Sequence, residues 1–201
     1  MNVAIIGATG NIGSKIAAEL LSRGHSVTAI ARNTDKAPAG TTAKSVDAAD
    51  PAALAAALKG HDAIVSAAPF APGLSPAIIE AVKRSGVKRY IMVGGAGSLE
   101  VAPGKMLKDT LTLPDAVRKI LDEAAENLKR LRGESALDWT FFSPAAEIGP
   151  GERTGKFRLG GDQLVTDAAG KSRISYDDYA IALVDELEQP RHIRGRFTIA
   201  Y

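Results

Sequence analysis

The chain has 201 residues, enough for one large domain with a substantial core. Lysine and arginine total 25 against 23 acids, a formal net charge of +2, so no basic surface marks a dedicated nucleic-acid binder. Charged residues at 24% and hydrophobic ones at 45% describe a folded protein, and the lack of cysteine excludes disulfides, zinc-thiolate and iron–sulfur centres and a thiol nucleophile. Met1-Asn2 is followed at once by four apolar residues and Gly7, which is no signal peptide, and no apolar run nears the ~18 residues that span a bilayer. A soluble cytoplasmic protein without membrane or nucleic-acid partners is expected.

Val3 to Ile6 is a short apolar run ending in glycine, which suits a strand buried on both faces. Ile12, Ile16, Ala17 and Leu20 follow at helical spacing, with a stop near Gly24. Val27 to Ile30 reads as the second strand and Thr41 to Val46 as a weaker third. Asp50-Pro51 supplies a cap and a first-turn proline for a helix to Leu58. Ala63 to Val65 is strand four, and Ser75-Pro76 repeats the cap-plus-proline pattern for a helix stopping at Gly86.

Tyr90 to Val93 is strand five, and Gly94 to Leu113 then runs without a clear period, as functional loops do. Val117, Ile120, Leu121, Ala124, Leu128 and Leu131 give an amphipathic helix, followed by strand six at Trp139 to Phe142. Beyond Gly149 come glycine turns and short strands. Ser175 to Asp178 caps a final helix, and Phe197 to Ala200 is the last strand. This alternation predicts an α/β fold: a Rossmann-like, doubly wound parallel sheet in a single domain, with residues 150–201 as a small extension completing a substrate cleft.

In such sheets the ligand lies beyond the carboxyl ends of the strands. Gly7-Ala8-Thr9-Gly10-Asn11-Ile12-Gly13 sits between strand and helix, where glycines permit a tight turn and close approach of a pyrophosphate to a helix N-terminus. It is not a P-loop, because Ile16 follows Lys15 where serine or threonine is required. At the end of strand two an NAD site places an acid for the ribose hydroxyls, whereas this chain has Arg32, with Lys36 nearby. A guanidinium matches the 2′-phosphate of NADP, so NADP(H) is expected over NAD(H). Asp47 and Ala48 follow strand three, Ala67 and Ala68 strand four, and Gly94 and Gly95 strand five. Asp47 can accept from adenine, and the small residues leave room for a ribose and a flat ring.

None of the four tyrosines has lysine four residues on, so the Tyr-x-x-x-Lys pair of conventional short-chain dehydrogenases is missing. No nucleophile elbow or H-E-x-x-H metal motif occurs either. The three histidines and the clusters Lys83-Arg84, Lys88-Arg89 and Arg191, Arg194, Arg196 read as surface groups or helix-end charges. Trp139, Phe141 and Phe142 read as core.

Gly7 to Gly13, Val93 to Leu99, Trp139 to Pro144 and Ile174 to Ala180 together resemble the atypical short-chain dehydrogenase/reductases. The nearest group is the bacterial NmrA-like proteins often labelled NADH-flavin reductases, and biliverdin reductase B is similar at greater distance. The resemblance implies that Thr9, Gly10, Asn11 and Ile12 hold the pyrophosphate, Arg32 the 2′-phosphate, Asp47 and Ala48 the adenine, and Pro144 to Ile148 the nicotinamide. Biliverdin reductase B has serine where Gly95 stands and histidine near Glu147, so its polar pocket side chains are not reproduced. Glu147 is the one ionisable candidate for a proton donor.

These readings point to an NAD(P)H-dependent reductase of a flavin, quinone or similar conjugated acceptor, which needs two flat rings positioned rather than a general base. Leu99, Met106, Leu107 and Leu111 would form an apolar lid. The alternative is a non-catalytic NADP(H) redox sensor of the NmrA type. A nucleotide-sugar epimerase or dehydratase fits less well, given the short tail and the missing Tyr–Lys pair.

Overall fold

A computed structural model describes all residues from Met1 to Tyr201. The glycine-terminated apolar run forms β1 (Asn2–Ile6), which turns through Gly7 into α1 (Asn11–Ser22) and returns as β2 (Ser26–Ala31). A helix-free connection leads to β3 (Thr42–Ser45), then α2 (Pro51–Leu58), β4 (Ala63–Ser66), α3 (Leu74–Ser85) and β5 (Arg89–Val93). The segment that follows holds β6 (Glu100–Ala102), β7 (Lys105–Met106) and a 3₁₀ turn at Leu107–Thr110. Next come α4 (Asp115–Arg132), β8 (Asp138–Ser143), β9 (Glu147–Gly149), β10 (Arg158–Gly160), β11 (Arg173–Ser175), α5 (Tyr176–Glu188) and β12 (Gly195–Ala200).

Eight strands form one sheet in the order β10-β12-β8-β5-β4-β1-β2-β3. Every neighbouring pair is parallel except β10 with β12 at the edge. The expected doubly wound sheet is thus present, with one antiparallel strand added by the C-terminal part. The order reverses at β1, whose neighbours are β2 and β4, and this is the switch point where such sheets bind ligands.

Alternation along the strands divides the core in two. Val3, Ile5, Val27 and Ala29 face Ile16 and Leu20 of α1 and Leu183 and Leu187 of α5. Ala4, Ile6, Ile30 and Ile64 face Leu54 and Leu58 of α2, Ile78 and Val82 of α3 and Leu128 and Leu131 of α4. On the first face Phe142 stacks between Tyr179 and Phe197, with ring centroids 4.1 and 3.9 Å away, so β8, α5 and β12 share one aromatic column. Trp139 and Phe141 are buried on the second face.

Two of the expected caps hold: Asp50 accepts from the Ala52 and Ala53 amides, and Ser175 from that of Asp178. Ser75 does not cap α3. That helix starts two residues earlier, after Gly73 in the left-handed region (φ 77°), and the Ser75 hydroxyl is buried, accepting from Asn127 Nδ2 of α4 at 2.7 Å. A sequence scan cannot anticipate this, since the partner lies 52 residues away.

Three further expectations change. Gly94 to Leu113 is not structureless but carries the β6–β7 hairpin, and Leu99, expected in a lid, is fully buried while Met106 and Leu111 are exposed. Val117 and Ile120 project into solvent, because α4 meets the sheet only through its C-terminal half, at Ala124, Leu128 and Leu131. Two arginines read as surface charges are largely buried. Arg89 bonds to Glu186 Oε1 (3.0 Å) and Thr140 Oγ1 (2.7 Å), while Arg196 bonds to Ser98 and Asp162. The histidines also have partners: His61 bridges Leu58 and Thr28, His25 meets Glu188, and His192 stacks on Phe197 and meets Glu186.

Because Phe142 joins three elements, Phe142→Ala is expected to lower stability by about 3–5 kcal/mol, measured by urea unfolding. An exposed replacement such as Ile120→Ala, on the free part of α4, should change it by less than about 1 kcal/mol in the same assay.

Candidate functional site

The carboxyl end of β1 turns back on itself. Gly7 takes φ 84°, and a side chain there would lie 2.7 Å from the Ala67 carbonyl oxygen. At Gly13 a Cβ would come within 2.2 Å of the Gly7 carbonyl oxygen, so the first turn of α1 rests directly on the loop backbone. Gly10 precedes the helix with extended geometry and no side-chain cap. The amides of Asn11, Ile12 and Gly13 have neither a backbone nor a side-chain acceptor, so this helix end presents free donors and the positive end of its dipole.

A cleft of about 670 Å³ opens beside this turn, between the ends of β1, β2, β3 and β4. Of the predicted residues, Gly7, Thr9, Arg32, Asp47, Ala48 and Ala68 line it. Ile6, Ile30 and Val46 form its floor, and Pro69, Ala71, Pro72, Gly73 and Leu74 close the side toward α3. That wall was missed in sequence, where Pro72-Gly73 is simply the turn before a helix. Arg32 is exposed and has no ion-pair partner, and Asp47 is exposed, with its carboxylate accepting from the Ala49 amide at 3.0 Å. Lys36 lies in the exposed turn beyond Arg32 and is not part of the lining.

The glycines after β5 serve the core instead. A Cβ on Gly94 would fall 2.3 Å from the Phe141 ring, and one on Gly95 would fall 3.1 Å from the Ala124 Cβ. Their smallness is explained by those neighbours, and neither residue lines the cleft.

A second cleft, of about 940 Å³, lies past the end of β8. Pro144 is buried at the strand end, and Glu147 and Ile148 line the cleft from β9, which pairs in parallel with β11. Glu152, Thr154, Arg173, Ser175 and Tyr201 complete its polar lining. Lys15 of α1 and Asp177 of α5 form an ion pair at 3.0 Å, tying together the starts of the two helices beside the clefts. Sequence reading found Glu147 and Ile148 but passed over Tyr201, which has no local motif.

The tyrosines bear on the chemistry. Tyr90 and Tyr179 are fully buried, and burial pushes both hydroxyls up, Tyr179 also donating to the Phe142 carbonyl at 2.7 Å. Neither is placed as a base facing a substrate. Tyr201 alone among them reaches a cleft lining. The chain contains no grouping of His, Asp and Glu able to hold a metal, and no helix is long and apolar enough to cross a membrane.

Sheets of this order, with a glycine turn at the switch point, belong to the Rossmann class of nucleotide-binding folds. Within that class the chain is a member of the NAD(P)H-binding family, whose model matches residues 7–190. The protein YwnB of Bacillus subtilis is 41% identical over 99% of this chain and 98% of its own. A solved structure from Burkholderia pseudomallei, described as a "putative exported protein", is 48% identical with full coverage of both chains and a TM-score of 0.90. One from Streptococcus pneumoniae, described as a "putative NADH-flavin reductase", is 36% identical over 100% of this chain and 99% of its own, with a TM-score of 0.86. These agree with the resemblance to atypical short-chain dehydrogenase/reductases drawn from the motifs.

The glycine contact gives a direct test. Gly13→Ala should cost about 3 kcal/mol or more, because the obstacle is backbone and cannot rotate away; urea unfolding measures it, and dinucleotide affinity should fall with it. A second test uses pH. Burial pushes the carboxyls of Glu19 and Asp178 up, but hydrogen bonds from Arg153 and Arg23 to the first, and from Thr154, Gly155 and Tyr201 to the second, leave both below the ordinary range. Groups so depressed stabilise the fold when ionised, so melting temperature should hold near neutrality and fall progressively from about pH 5 downward. A melting temperature unchanged down to about pH 3 would contradict the assignment.

Proposed function

We propose that the protein is an NADPH-preferring reductase that passes hydride to a flavin, a quinone or a similar flat conjugated acceptor. The observation that carries this is the cleft at the switch point. It lies beside the turn that leads to the free helix-end amides and is lined by an apolar slot and an unpaired guanidinium, groups that suit a pyrophosphate, an adenosine and a 2′-phosphate. The description of the S. pneumoniae relative supports a flavin as acceptor.

In this reading the amides of Asn11, Ile12 and Gly13 take the pyrophosphate, with Thr9 and Gly10 shaping the turn. Arg32 binds the 2′-phosphate, with Lys36 contributing long-range charge, and Asp47 and Ala48 border the adenine. Ala68 borders the same cleft and Ala67 lies against Gly7, and from there the dinucleotide runs past Pro144 at the end of β8 toward Ile148. The bound dinucleotide supplies the hydride. The chain's part is to hold the acceptor in the second cleft, close to Ile148, with water largely displaced from the reacting faces. Glu147, exposed on that cleft, can pass a proton from solvent to the reduced acceptor, a step that needs no tyrosine–lysine pair.

The test is loss of the near-ultraviolet absorbance of NADPH, and separately NADH, with FMN, riboflavin or a simple quinone. Oxidation that depends on acceptor is expected, faster with NADPH. Arg32→Ala should raise the KM for NADPH about ten-fold or more while leaving that for NADH within about two-fold, as loss of a charge-assisted contact predicts. Tight NADPH binding with no turnover on any acceptor would replace this reading with a redox sensor.

A further inference from the structure

One wall of the second cleft has an unusual attachment. From Pro150 to Lys156 the chain passes the start of α5 and the C-terminal half of α1 as a strap in which no residue takes part in a backbone–backbone hydrogen bond. Gly151 through Lys156 are exposed, and Phe157 then returns to the core layer. Ordinary loops of this length rest on turns of their own. This one is held through side chains, and two buried acids do most of it.

Asp178, in the first turn of α5, is fully buried, and its carboxylate is saturated by the strap and by Tyr201. Oδ1 accepts from the Thr154 amide (3.0 Å) and the Gly155 amide (2.8 Å). Oδ2 accepts from the Thr154 hydroxyl (2.7 Å) and the Tyr201 hydroxyl (2.8 Å). An acid at this helix position commonly reaches back to the cap residue's amide. Here the Ser175 amide donates instead to the Tyr201 hydroxyl (3.1 Å), which frees Asp178 to grip the strap. On the α1 side, Arg153 bonds to buried Glu19 at 2.5 and 3.2 Å, and Arg23 holds the same carboxylate at 2.8 Å. Glu152 and Thr154 of the strap, together with Tyr201, line the cleft.

We propose that Asp178 is a positioning residue for the electron acceptor: it fixes the strap and Tyr201 as one wall of the second cleft and thereby sets which flat, conjugated molecules fit there. It touches no reacting atom and acts through Thr154, Gly155 and Tyr201. This rests on the second cleft being the acceptor site. The dinucleotide cleft shares no lining residue with the strap, so its affinity is independent of the wall.

The experiment compares wild type with Asp178→Asn, Thr154→Val and Tyr201→Phe, the last two removing single hydroxyls so that the test survives if Asp178→Asn fails to fold. FMN and a water-soluble naphthoquinone are titrated by fluorescence quenching, NADPH is titrated separately, and trypsin cleavage after Arg153 and Lys156 reports the strap. Asp178→Asn should weaken acceptor binding about ten-fold or more and each single-hydroxyl variant about three-fold, with NADPH affinity unchanged. In turnover the same variants should raise the KM for acceptor and leave the KM for NADPH and kcat near wild type. Trypsin should cut the Asp178→Asn strap faster, and bound acceptor should protect the wild-type strap.

Folded variants whose acceptor affinity equals wild type would overturn the inference and leave the reductase reading standing. Parallel loss of NADPH and acceptor affinity would also overturn it, marking Asp178 as a purely structural support. A wild type that binds NADPH but neither FMN nor the naphthoquinone would overturn both readings.

Discussion

The contact between Gly13 and the Gly7 carbonyl is the constraint on which the site depends. It brings the start of α1 against the carboxyl end of the central strand with no side chain between them, so the helix's free amides lie at that strand's carboxyl end. A side chain on Gly13 would push α1 away from β1, and α1 carries Ile16 and Leu20 into the core face it shares with α5. One backbone approach therefore couples the shape of the dinucleotide cleft to the layer that holds both helices.

The C-terminal part completes that arrangement by three routes. β12 extends the sheet beside β8, α5 packs against α1, and the Phe142 column locks β8, α5 and β12 together. Pro144 and Ile148 leave the same strand two and six residues beyond Phe142, so the second cleft begins from a rigid base. The strap opposite is the reverse: exposed, without backbone pairing, and dependent on buried Asp178 and Glu19. On the proposed reading, a firm floor with a side-chain-tethered wall is a way to vary acceptor fit without disturbing the dinucleotide cleft.

Buried charge is used here to join segments far apart in sequence. Arg89 reaches Glu186, Arg196 reaches Asp162, and Arg153 reaches Glu19. Each buried member is paired, which burial of a charge requires. In the sequence Arg89 and Arg196 stand in basic clusters that look like solvated surface. The partners are 97, 34 and 134 residues distant, beyond the reach of any local pattern.

The sequence by itself determined what local rules control. Short apolar runs between glycines became buried parallel strands, Asp50 and Ser175 became caps, and the glycine turn after Ile6 announced a tight strand-to-helix turn with free helix-end amides. Arg32 and Asp47 were legible because their position at strand ends fixes where they point. Tertiary structure decided what depends on distant neighbours. Gly94 and Gly95 are small because Phe141 and Ala124 occupy the space, Ser75 serves Asn127 rather than its own helix, and Val117 and Ile120 are exposed because only half of α4 meets the sheet. Asp178 reads locally as a helix-start acid. Its grip on Thr154, Gly155 and Tyr201 exists only because the fold returns three segments to one point, where a buried carboxylate must find donors to offset its lost hydration.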